Sequence, residues 1–406
     1  MQKINRSKFL TVVLLSSLSV ILLAGIFINE LVFNASAPVS SNVDVAPSLL
    51  PSLSSESRWG TSYDDEYVDS FTLGSDVYLF FNEEKGKIVQ NGSNNTSIEV
   101  EGLIKKVALT PWGFAIALSR DGEYAIQLFD FTLAPVISRS LSFNEIDLQY
   151  LTFEDDTLRV GIRHKGTYDY IFTYVKLNST LETVYERMIY SVYDISLVDC
   201  FELSNKTILF FNAQYGSVYK SGVSTIYPQS LAVDTSYFSF GNHSLLDVIP
   251  TNSGFNLLCV DGENQGFLAS IDLEGNTNKD ITLVSNVVGG KFYGDGLNTY
   301  RIFEHDNGTC SVYEINNGMT LEYFNDCKKV LDCIFVDGSA LFAVVKNNKT
   351  FLYHIATGVS CLILDKAIDN LVLKKSDKVH FFTSVVIENT TVTTLGGKDI
   401  YCGILQ

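Results

Sequence analysis

The sequence is short of proline, methionine, tryptophan and positive charge. Its 406 residues hold 7 prolines, 3 methionines and 2 tryptophans, and 29 Lys and Arg against 46 Asp and Glu. The formal net charge of −17 leaves no basic footprint for nucleic acid and argues against docking on anionic lipid. Solubility and self-repulsion account for such a charge, and a cation-binding surface is the sharper alternative. No CxxC pair occurs, which removes zinc-ribbon and thioredoxin-like readings. Neither a GxSxG nucleophile elbow nor a DxDxDG calcium loop is present. Beyond residue 33 no segment carries the apolar spacing of an amphipathic helix of several turns.

What is present begins at the N-terminus. Lys3, Arg6 and Lys8 precede an uncharged run from Phe9 to Ile28, FLTVVLLSSLSVILLAGIFI. A helix of that length rises about 30 Å, the thickness of a bilayer's hydrocarbon core. The next charge is Glu30, and no Lys or Arg follows until Arg58. The positive-inside rule then keeps residues 1–8 in the cytoplasm, makes 9–33 a transmembrane signal-anchor helix, and sends the rest across the plasma membrane. A cleaved signal peptide is the rival, with Ala35-Ser36-Ala37 as its site. Its apolar core would be shorter, and Pro38 makes a poor first mature residue. Residues 34–57, rich in Ser, Pro, Ala and Asn, read as a flexible stalk.

Residues 58–406 are rich in Phe, Tyr, Val, Ile and Thr, the residues that fit a pleated, half-buried surface. A unit recurs through them: an apolar strand, a short polar turn, then a second strand. The units begin at Val77, Phe114, Leu158, Ile208, Phe255, Thr299, Ala340 and Val379. Asp121-Gly122, Asp261-Gly262 and Asn307-Gly308 are strong hairpin-turn signals. Strand-like segments precede the hairpins, as at Lys106–Leu109, Leu197–Phe201, Leu245–Ile249 and Leu331–Val336. Others follow, as at Val136–Leu141, Ile281–Val284 and Cys361–Leu364. Four strands per unit predict an extracytoplasmic β-propeller of about eight four-stranded blades, with seven as the alternative because the first unit is weak after Val89. The first strand of each hairpin is almost continuously apolar, as a strand covered on both faces should be. Ring closure is expected from Arg58–Phe71 pairing with the last blade, with a final strand at Ile400–Leu405.

Three stretches resemble repeats of bacterial cell-surface and secreted β-propellers: Ser244–Asn276, Lys105–Asp130 and Arg58–Phe81. The family pattern runs Trp…Gly-Gly-Ser…Asp, an apolar strand, T-x-D-G-G-Y, an apolar strand, and D-x-x-G-N. Here Gly254-Phe255 stands in place of Asp-Gly-Gly-Tyr, and Gly60-Thr61-Ser62 in place of Gly-Gly-Ser. The resemblance implies a propeller in the cell envelope and carries no activity.

The sequence nominates no catalytic, cofactor-binding or metal-binding residue, and no cofactor is expected. His164 and His305 fall in hairpin turns and are expected to be solvated, while His354 and His380 fall in strands. Asp64-Asp65-Glu66 with Asp69 is the densest acidic run, best read as a solvated loop. Seven cysteines, Cys200, Cys259, Cys310, Cys327, Cys333, Cys361 and Cys402, leave at least one unpaired. Buried thiols are expected, with Cys310–Cys327 or Cys327–Cys333 as candidate disulfides in an oxidising compartment. The ten Asn-x-Ser/Thr sequons beyond the expected anchor follow from the abundance of these residues in turns. The expected partners are the lipid bilayer, through the N-terminal helix, and a protein or glycan ligand held by the propeller. An envelope assembly component and an extracytoplasmic enzyme acting on glycans are the alternatives.

Overall fold

The computed structural model describes residues 61–63, 66–73, 76–91, 96–141, 146–166, 169–230, 232–295, 298–316, 319–336, 338–355, 359–364, 367, 371–375, 379–387 and 390–398. The expected anchor, the stalk, Asp64, Asp65, Cys402 and the expected strand at 400–405 lie outside the described residues.

Every described element is a strand or a turn. The first blade is β2 (Glu66–Leu73), β3 (Asp76–Asn82), β4 (Gly86–Asn91) and β5 (Thr96–Val100); the second is β6 (Leu103–Thr110), β7 (Gly113–Arg120), β8 (Glu123–Asp130) and β9 (Pro135–Leu141). The third is β10 (Ile146–Glu154), β11 (Thr157–Lys165), β12 (Tyr170–Leu177) and β13 (Thr183–Ser191); the fourth is β14 (Asp194–Leu203), β15 (Lys206–Tyr215), β16 (Val218–Ile226) and β17 (Val233–Tyr237). The fifth is β18 (His243–Thr251), β19 (Gly254–Asp261), β20 (Gly266–Asp272) and β21 (Thr277–Val284); the sixth is β22 (Val287–Gly294), β23 (Thr299–His305), β24 (Cys310–Asn316) and β25 (Met319–Cys327). The seventh is β26 (Lys329–Val336), β27 (Ser339–Lys346), β28 (Lys349–His354) and β29 (Val359–Leu364). The eighth joins β30 (Leu371–Lys375), β31 (Val379–Ile387) and β32 (Thr390–Lys398) to β1 (Thr61–Tyr63).

Eight four-stranded antiparallel sheets result, so the eight-blade expectation holds over seven. The first strand of each sheet touches the first strand of the next around the chain, and β30 returns to β2. That closure makes a propeller ring with these strands innermost. Closure comes from the N-terminal segment, as expected, but only Thr61–Tyr63 of it pairs with the last blade, Thr61 with Leu395 and Tyr63 with Thr393, whereas Glu66 onward belongs to the first blade. The outermost strand of the last blade is therefore β1. The first blade, weak in sequence after Val89, has its full four strands.

The second strand of each blade explains the repeat. β3, β7, β11, β15, β19, β23 and β27 carry unbroken or nearly unbroken runs of buried residues. Each such strand meets one neighbouring blade on each face, so both sets of alternating side chains are covered. Phe80, Phe114, Phe210, Phe303 and Phe342 are fully buried there. The outermost strands bury little: β17 is exposed at every position after its first, and β9 mixes exposed with half-buried positions.

Cys310 and Cys327 face each other across β24 and β25, bonded with Cα atoms 5.7 Å apart, which settles the choice between the two candidate disulfides. Cys200, Cys259 and Cys333 are buried free thiols. Burial pushes all three up in pKa, away from reactivity.

Candidate functional site

Antiparallel order puts the turns on two faces of the ring. The turns between the second and third strands of a blade share one face with the links from one blade to the next. On that face most hairpin turns are polar, such as Asp121-Gly122 and Asn347-Asn348. The fourth blade departs from this. Its turn reads Tyr215-Gly216-Ser217-Val218-Tyr219, with Tyr215 67% exposed, Val218 43% and Tyr219 41%. The link into the fourth blade adds Val192, 65% exposed, and the end of β13 adds Tyr190, 63%.

Tyrosines of this group are linked to one another. The Tyr193 ring lies 6.0 Å from Tyr215 and 5.6 Å from Tyr237, edge-on to both. Tyr237 in turn packs edge-on against Phe211, which anchors the group to the core. Gln214 donates to the Tyr219 hydroxyl at 3.0 Å and to the Gly216 carbonyl at 3.2 Å, stiffening the turn. The Tyr219 amide donates to Asn242 Oδ1 at 2.7 Å, tying it to the next blade. Arg163 bridges Asp147 and Asp194 nearby on the same face. Rigid tyrosines offer an apolar face and a hydroxyl at little entropic cost, and an exposed apolar group of this kind marks a recognition surface.

The buried charges of the molecule do a different job. Arg159, fully buried, pairs with Glu154, Asp155 and Glu202. Glu202 also accepts from Lys176 at 3.0 Å, from Thr207 at 2.7 Å and from Tyr174 at 2.5 Å. All four contacts converge on Glu202 Oε1, and despite burial these bonds hold its carboxyl below the usual range. The cluster stitches the third blade to the fourth.

His164 and His305 correct the expectation of solvated turns. Both sit on strands and are half-buried. His164 Nε2 lies 3.0 Å from Thr173 Oγ1, and burial lowers its pKa. His305 bonds Ser285 O and Ser311 Oγ. His243 is fully buried against Phe238, Phe240 and Phe267, held neutral by burial, with Nδ1 on the Gly241 carbonyl. His354 is a buried strand residue, as expected. Asp69 and Glu66 begin β2 rather than a loop; Asp69 accepts the Ser70 amide at 2.7 Å.

The tyrosine surface escaped the sequence reading, which looked for catalysts in the turns. The signal was there: the fourth hairpin alone sets tyrosines on both sides of its glycine turn.

No known protein family matches the chain by sequence, and no curated protein does. Solved structures match by shape. The WD40 domain of SCAP from fission yeast shares 9% identity at a TM-score of 0.51, covering 84% of this chain and 98% of that one. A prolyl endopeptidase shares 10% identity at a TM-score of 0.50, covering 78% of this chain but only 54% of that one. This chain thus spans about half the length of the endopeptidase. At such identities the likeness concerns the fold, and the class defined is the β-propeller.

Proposed function

We propose that the protein is a membrane-anchored, extracytoplasmic binding propeller that holds a protein or glycan ligand on the tyrosine surface of its fourth blade. The observation that carries this is the exposure of Tyr215, Tyr219 and Tyr237 on one face of a closed ring, with Tyr215 and Tyr237 joined through Tyr193. Singly exposed apolar residues need no explanation, whereas a cluster of rigid aromatics does. The uncharged run from Phe9 to Ile28 behind three basic residues supports the anchor and its orientation.

The test uses the full chain in its native membrane. Tyr215→Ser with Tyr237→Ser should abolish retention of the partner recovered by cross-linking, or of the glycan found by array, with an unchanged melting temperature. Retention of the ligand at wild-type affinity by that folded variant overturns the tyrosine surface. Extraction of the chain by alkaline carbonate, or protection of residues beyond 58 from protease added outside, overturns the anchor and its orientation.

A further inference from the structure

The opposite face of the fourth blade holds a cleft whose origin lies in one turn. In the second blade the turn between the third and fourth strands reads Asp130-Phe131-Thr132-Leu133-Ala134. Asp130 Oδ1 accepts the amides of Thr132 and Ala134, at 2.8 and 2.9 Å. In the third blade Asn178-Ser179-Thr180-Leu181-Glu182 repeats the arrangement, with Asn178 Oδ1 accepting Thr180 and Glu182 at 2.9 and 2.8 Å. The fifth blade has it again in Asp272-Leu273-Glu274-Gly275-Asn276, with Asp272 accepting Glu274 and Asn276 at 3.0 and 2.7 Å. The fourth residue of each turn takes a positive φ: 64° at Leu133, 58° at Leu181 and 93° at Gly275.

The two leucines are plugs. Leu133 is buried in the core between the first and second blades, and Leu181 in the core between the second and third. A leucine with positive φ is backbone-strained, so its burial is what holds it there. Between the fourth and fifth blades the plug is missing, because Gly275 has no side chain. A Cβ placed on it would meet nothing within 4 Å. A cleft of about 210 Å³ is left, with Gly275 in its wall. Its floor is Ile208, Phe210, Val223, Phe255 and Ile271, each buried from solvent by the surrounding protein. Its rim carries Asp234, Glu274 and Asp272 against one cation, Lys206. The Lys206 ammonium is turned onto the Leu273 carbonyl at 2.8 Å, and Asp272 is committed to its own turn. Asp234 and Glu274 therefore set the charge that an incoming group meets.

We propose that this cleft binds a branched aliphatic side chain, leucine in size, presented by a basic segment of another polypeptide. The partner supplies from outside the leucine that the second and third blades supply from within, and the rim acids select cationic neighbours on either side of it. The charge complementarity extends to the whole molecule, whose net charge is −17.

The test is fluorescence anisotropy on the full chain with a labelled Gly-Lys-Leu-Lys-Gly peptide, and with versions carrying Ala for Leu or Glu for both Lys. The leucine peptide should bind about tenfold more tightly than the alanine one. Gly275→Leu should remove binding by closing the cleft, with an unchanged or higher melting temperature. Asp234→Asn with Glu274→Gln should erase the preference for Lys over Glu while keeping that for Leu over Ala. Wild-type affinity in a folded Gly275→Leu variant overturns the proposal, as does equal binding of the leucine and alanine peptides. Should Gly275→Leu fail to fold, the near-isosteric carboxamide pair decides: an unchanged Lys preference overturns the rim's role.

Discussion

Single side chains in this ring are tuned by what covers them. Asp199, on innermost strand β14, is the clearest case. Burial pushes its carboxyl up to about 6, the Cys200 amide pulls it down, and the charge on Asp247 adds to the rise. A folded value of about 6 against an ordinary 3.8 means that the folded protein holds this proton more tightly than the unfolded chain. The stability contributed is full below 3.8 and is lost as pH rises through 6. Asp199→Asn keeps an acceptor for the Cys200 amide and removes the charge. It should stabilise the protein at pH 7 by about 1–2 kcal/mol, discounting for partial exposure, and by nothing at pH 4. Urea melts at the two pH values measure this. The residue was invisible in the sequence as anything special, because its cost comes from burial inside the ring, to which Asp247, 48 positions along the chain, adds.

At the scale of the strand, the innermost strands share a device. In seven blades the pairing of first with second strand slips by one residue, skipping Val68, Lys105, Gln149, Val198, Leu246, Val288 and Leu331. Such a bulge bends the strand and re-aims the residues beside it. Polar side chains near the slip bond the backbone of the next blade. Asp247 accepts the Phe292 amide at 2.6 Å, Asp332 the Leu373 amide at 2.7 Å, and Gln149 the Leu197 amide at 2.7 Å. On the second strands, Asn82 clamps both the amide and the carbonyl of Ile104, and Asn212 does the same to Leu245. Asn212→Ala should cost about 1–3 kcal/mol, since it takes the donor from the Leu245 carbonyl and leaves the Leu245 amide to Ser221 Oγ alone. Asn212→Asp should cost less, because it keeps the acceptor for the Leu245 amide. Equal losses for the two in chemical denaturation would refute the clamp.

The hairpins were legible because their leading strands, β3 to β27, are buried on both faces and so read as unbroken apolar runs. Val77, Phe114 and Ala340 announce themselves without any knowledge of the ring. The outer strands were legible only in part. Thr96–Val100 and Val233–Tyr237 bury little, so nothing in their side chains separates them from loops. Asn82 and Asn212 look like ordinary polar residues at the end of an apolar run. Only the ring brings Ile104 and Leu245 against them. Leu133 and Gly275 were within reach of the sequence, through the matched Asp-x-x-x turns, but their opposite effects depend on a gap between blades.

For the molecule as a whole, the seam decides stability. The eighth blade is completed by three residues from the other end of the domain, with Ser62 opposite Thr394. Ser62→Pro would remove a backbone donor and cramp the ladder, so the first and last blades would part. The melting temperature should fall, and hydrogen exchange should rise in β30 to β32 before it rises in β15 or β19. Uniform protection across all blades would show that the seam is not the weak point. The need for closure was readable from the repeat, since an open ring leaves an edge, whereas the outermost position of β1 was not.

The same seam sets a clock. Thr61 waits for Leu395, so the first strand of the domain to leave the ribosome is the last to find its partner. At about 5–20 residues per second, that interval lasts on the order of tens of seconds. Throughout it the growing chain carries an unpaired edge at each end, and the ring closes only once Leu395 has emerged.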